Sequence, residues 1–128
     1  MDKKIIKSAA ILGFLAIAFG AFGAHSLKKL VGDLQLNTFE TAVKYQMYHA
    51  LFLLFVGTTN FISEATKKVI YLTTLTGILL FCGSLYLLTL NTLLPFNFIS
   101  FGFITPIGGF LFLVAWFWLF VNFYKKKH

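Results

Sequence analysis

From Val69 to Tyr124 the chain carries no charged residue. A stretch of that length cannot fold in water with its surface solvated, because soluble domains are about one quarter charged. The whole chain of 128 residues is 59% hydrophobic and 12% charged, with 17 phenylalanines. Its outer surface must therefore be covered by lipid, and its length supports a single domain, residues 1–128. A hydrocarbon core about 30 Å thick needs about 20 apolar residues per helix. Four stretches meet that requirement, at about 5–24, 43–62, 69–90 and 106–124. None alternates polar and apolar residues as barrel strands do, and backbone in lipid must bond to itself. These features predict an all-α integral membrane four-helix bundle.

The first stretch has the form of a secretory signal, with Lys3, Lys4 and Lys7 before an apolar run and small residues at 21–24. It also has a use as a helix. Ala9, Gly13, Ala16, Gly20 and Gly23 form one small-residue stripe beside a bulky one, and small residues let membrane helices approach closely. Gly83, Gly108 and Gly109 are read as further close-packing positions. Thr105-Pro106 is a suitable helix start, a hydroxyl followed by a proline in the first turn.

The lysines set the direction. With four spans, Lys3, Lys4, Lys7, Lys67, Lys68, Lys125, Lys126 and Lys127 share a side with both termini, against Lys28, Lys29 and Lys44 opposite. Positive residues stay cytoplasmic, so both termini are expected inside, with Trp116, Trp118 and Tyr124 in an aromatic belt near that face. The net charge of +7 comes with eleven lysines and no arginine. Nucleic-acid surfaces favour the arginine fork, so nucleic acid is not an expected partner. The apolar segment 91–104 is expected at the opposite interface or across the mouth of the bundle.

Residues 37–49 are the polar exception. Asn37 and Glu40 have capping-box spacing, which predicts a helix from near Thr38 to about Ile62. Glu40 and Lys44 can pair at i, i+4. His49 is then expected about 9 Å inside the start of the span, on one face with Tyr45, while Gln46 flanks that face and Tyr48 lies on the next. Ionisable groups inside a membrane are costly and normally face the bundle. His25, at the far end of the first span, could join Glu40, Tyr45 and His49 in one pocket. The candidate polar cluster is therefore His25, Glu40, Lys44, Tyr45, Gln46, Tyr48 and His49. Its bland alternative is a neutral histidine that fixes helix packing. Two histidines and one carboxylate without close helical repeats do not make a metal motif, and no cofactor is expected. Cys82 sits alone in an apolar run and has no partner thiol.

Four motifs, "GAFGAH" (20–25), "FETAVKYQMYHAL" (39–51), "GSLYLL" (83–88) and "ITPIGG" (104–109), together resemble a family of small bacterial membrane proteins. The family is known as domain of unknown function 423 or uncharacterised protein family 0382. The resemblance runs in order through nearly the whole chain and implies a four-helix protein of the inner (plasma) membrane. It carries no assigned activity. With no nucleophile–base constellation present, the expected role is non-catalytic: an accessory or assembly subunit, or a homo-oligomer, packing through small-residue helix faces. The expected partners are the lipid bilayer and either a membrane protein or a second copy. The alternatives are a small transporter or channel using the His/Glu/Tyr cluster, and a lipid-, quinone- or metal-binding membrane protein.

Overall fold

The computed structural model describes residues 2–91, 93 and 102–125. Most of the segment 91–104, together with Lys126, Lys127 and His128, lies outside the described residues. Four long helices form the bundle: α1 (Asp2–His25), α2 (Asp33–Thr58), α3 (Glu64–Leu90) and α4 (Ile104–Lys125). Three of them, α1, α3 and α4, are long and apolar enough to cross a membrane. The fourth, α2, is equally long but carries Lys44, Gln46 and His49 along its length.

Contacts fix the register. Gly57 of α2 sits against Ile5 and Ile6 of α1, Ala50 against Gly13, Val43 against Gly20, and Phe39 against Gly23. The small stripe of α1 thus lies along α2, the two helices run antiparallel, and Ala9 and Ala16 are buried on that seam. A Cβ on Gly23 would come within 2.9 Å of the Phe39 ring. Between α3 and α4, Gly77 meets the Phe112 ring and Gly108 lies directly on the backbone of Phe81. Gly109 approaches the Phe81 ring at ordinary contact distance. Gly83 is different: nothing lies within 4 Å of a Cβ placed there, so it is not a packing glycine. The reason is a π turn over Ile78–Cys82, whose wider winding rotates the residues that follow it. Ser84 takes the contact position instead and hydrogen-bonds Thr105 of α4.

Three expected boundaries move. The segment Asn37–Glu40 does not cap a helix, because α2 already begins at Asp33 after an extended Gly32. An acidic residue in the first turn suits the helix dipole. Thr38 and Thr41 return their hydroxyls to the carbonyls of Leu34 and Asn37 inside the helix. At the other end α2 stops at Thr58, and Ile62 belongs to the short link, where it is buried. Ser63 then caps α3 by accepting from the Thr66 amide, so Glu64–Lys68 are helical rather than loop.

Near the termini the core gathers Ile5, Phe52, Leu53, Val56, Ile70, Tyr71 and Ala115. On that side Tyr71 bonds Ser8, and the Lys67 ammonium donates to the Asp2 carboxylate at 2.9 Å. Lys67 is only 2% exposed while Asp2 is half exposed. A buried ammonium without a counter-charge harms a fold more than loss of the whole pair. Asp2→Asn is therefore expected to lower the midpoint of SDS-induced unfolding in mixed micelles, followed by circular dichroism. Adding Lys67→Met should recover most of that loss.

Candidate functional site

The polar residues of α2 divide among its neighbours rather than meeting in one pocket. Gln46, 3% exposed, donates from Nε2 to the Leu12 carbonyl of α1 at 2.9 Å. Its Oε1 accepts from the Tyr86 hydroxyl of α3 at 2.6 Å. One amide thus bridges three helices. Tyr86 also packs edge-on to Phe19 and tilted against Phe39, so its ring is held from both sides.

His49, also 3% exposed, faces α4. The indole Nε1–H of Trp116 donates to its Nε2 at 3.1 Å. Indole can only donate, so Nε2 is the acceptor nitrogen and the proton sits on Nδ1. Nδ1–H then donates to the Tyr45 carbonyl one turn back, at 2.7 Å. The ring stacks on Phe112 with centroids 3.6 Å apart and planes 15° from parallel. Both nitrogens are occupied, and the arrangement holds a neutral imidazole in place between two helices.

The level of this histidine differs from the sequence expectation. Its neighbour Ala50 meets Gly13, the midpoint of α1, and His49 lies sixteen residues into α2, about 24 Å from the helix start. It sits at the middle of the bundle, not near the rim, because α2 starts earlier than its apolar stretch. The same register separates the two histidines. Gly23 meets Phe39, ten residues and about 15 Å along α2 from His49, and His25 is further out still. His25 and Glu40 are exposed, so the expected convergence of His25, Glu40, Tyr45 and His49 does not form. Lys44 is exposed and makes no ion pair among the described residues. Tyr45 and Tyr48 are partly exposed beside α4, with Tyr45 tilted against Phe81. No group of three or more His, Cys, Asp or Glu comes together among the described residues.

Sequence reasoning missed the other half of the network. Trp116 was expected in a belt near the membrane face, yet its level matches His49 and its indole nitrogen turns to that histidine. Phe112 and Trp116 share a helical face at i, i+4, a signal that was available but had no partner to attach to. Tyr86 stood inside the "GSLYLL" motif without a role.

These observations define a helical membrane protein whose second helix is tied to the other three by buried side-chain bonds. The family model described as "Protein of unknown function (DUF423)" matches residues 19–109. A UPF0382 membrane protein of Staphylococcus aureus, SAB0533, is 37% identical over 123 residues, covering 96% of this chain and 97% of its own. The UPF0382 membrane protein of Haemophilus influenzae is 36% identical over 127 residues, covering 99% and 98%. The UPF0382 inner membrane protein YgdD of Escherichia coli is 37% identical over 111 residues, covering 84% and 79%. The chain belongs to the DUF423 (UPF0382) family of membrane proteins. No solved structure matches it.

Proposed function

We propose that the protein is a non-catalytic subunit of the bacterial inner membrane, with both termini cytoplasmic, that acts by packing against another membrane protein or a second copy of itself. The observation that carries this reading is the state of the buried polar groups. Gln46 and His49 have their side-chain donors and acceptors engaged inside the bundle, which leaves surfaces rather than reactive groups. Those surfaces are large: Ile107, Phe110, Leu113, Phe117 and Phe120 are exposed along α4, and Ile11, Phe14 and Ile17 along α1. The lysine distribution supports the orientation, and the name of the Escherichia coli relative supports the membrane. A transporter has less support, since the two histidines stand on different levels and the one at mid-depth is already bonded. Mild-detergent extraction with in-membrane crosslinking tests the proposal. A species heavier than the monomer is expected; a monomer that crosslinks to nothing would overturn it.

A further inference from the structure

At the end of the bundle that holds the termini, α3 and α4 leave a groove of about 510 Å³, with Thr66 on one side and Phe117, Trp118, Val121, Asn122 and Lys125 on the other. That volume falls among ligand sites, which run from about 300 to 1,000 Å³. Lys125 stands in the last turn of α4, whereas Phe117 follows Trp116, which is level with the mid-bundle His49. Eight helical residues separate Lys125 from Phe117, about 12 Å, against roughly 15 Å for one leaflet of a hydrocarbon core. The groove therefore runs from the rim most of the way to mid-membrane, with its charge at the rim.

Each polar side chain in it has a donor to spare. Lys125 is exposed and makes no ion pair among the described residues. The Thr66 hydroxyl accepts from Ser63 at 3.0 Å, so its own proton is left over. Asn122 gives one amide N–H to the Phe61 carbonyl at 3.4 Å and keeps the other. No carboxylate lines the groove, and the nearest along α3, Glu64, lies beside Asp2 at the start of α1. Among the described residues this end carries Lys3, Lys4, Lys7, Lys67, Lys68 and Lys125, with only Asp2 and Glu64 to offset them. An ammonium and two neutral donors at the rim, above an aromatic and aliphatic channel, match an amphiphile with an anionic head.

We propose that this groove binds one anionic glycerophospholipid of the leaflet on the side of the termini. The Lys125 ammonium pairs with the phosphate, Thr66 and Asn122 donate to the phosphate and ester oxygens, and one acyl chain lies along Val121, Trp118 and Phe117. Charge complementarity favours this occupant over a second copy of the chain, whose own rim at this level is equally basic. The inference does not depend on the accessory role proposed above.

The test uses the full chain with Trp116→Phe, so that Trp118 in the groove wall is the sole tryptophan, in phosphatidylcholine vesicles containing phosphatidylglycerol. Lipids brominated along the acyl chain report occupancy by quenching Trp118. Brominated phosphatidylglycerol is expected to associate about fivefold more strongly than brominated phosphatidylcholine, the preference one lysine near a membrane surface confers. Raised salt should reduce that preference. Lys125→Gln should abolish it and Lys125→Arg should keep it, with helicity checked for each. Lys4→Gln, at the same end of the bundle but outside the groove, should leave it unchanged. Equal quenching by the two lipids would overturn the proposal, as would a preference that survives Lys125→Gln. A preference that falls as far with Lys4→Gln as with Lys125→Gln would trace it to diffuse surface charge and overturn it as well. Trp118 shielded from both lipids in a dimer would assign the groove to a second copy and overturn it too.

Discussion

Gly108→Ala is expected to lose at least about 3 kcal/mol of stability in detergent, the upper end of what overpacking a core usually costs. A Cβ there would run into the amide nitrogen, Cα and Cβ of Phe81. Backbone cannot swing aside as a side chain can, so α3 and α4 must separate along their contact. The neighbouring glycines are the controls. Gly109→Ala puts its Cβ 3.6 Å from the Phe81 ring, an ordinary contact with no clash, and should stabilise by up to about 1 kcal/mol through its helix propensity. Gly83→Ala meets open space and removes helix-interior backbone freedom, so it should stabilise by roughly 0.5–1 kcal/mol. Unfolding midpoints in SDS mixed micelles rank all three. A Gly108→Ala protein as stable as the parent would mean that the α3–α4 contact is not as close as described.

The second large effect is expected at His49. His49→Ala deletes a ring stacked on Phe112 at 3.6 Å and leaves the Trp116 indole without its acceptor. Together the cavity and the unsatisfied donor should cost about 2–4 kcal/mol. The two contributions can be separated. Trp116→Phe keeps an aromatic ring against Phe52 and removes the donor together with part of the indole's bulk; interhelical hydrogen bonds in membranes average roughly 0.6 kcal/mol. His49→Phe keeps the buried ring and loses both bonds. Ring packing is the larger share, so His49→Phe should lose less than half of what His49→Ala loses. A double-mutant cycle between His49 and Trp116 isolates the bond itself.

The helices were readable from the sequence because their cause is crude: apolar length. The chain's four stretches and the small stripe of α1 appear in the fold with boundaries shifted by a few residues. The start of α2 was misread at Asn37 because a capping box looks the same whether it opens a helix or sits one turn inside one. The identity of Gln46 and His49 as unusual residues was also readable, since polarity in lipid is conspicuous. Their partners were not. α4 is apolar all round, so its sequence gives no period from which to tell which face turns inward; only Gly108, Phe112 and Ala115 are buried along it. The π turn in α3 had no sequence signal either, and the face presented to α4 just beyond it carries Ser84 rather than Gly83.

The bonding of α2 has a consequence for how the chain is made. Its amide is bonded by α1 and α3 and its imidazole accepts from α4, and two of these three helices are synthesised later. As it leaves the insertion machinery, this segment is the one least suited to hydrocarbon, and it becomes at ease there only when the third and fourth helices arrive. A chain ending after Thr58 is therefore expected to hold this segment in vesicles less firmly than the full chain does, a difference that protease protection of the two forms would read.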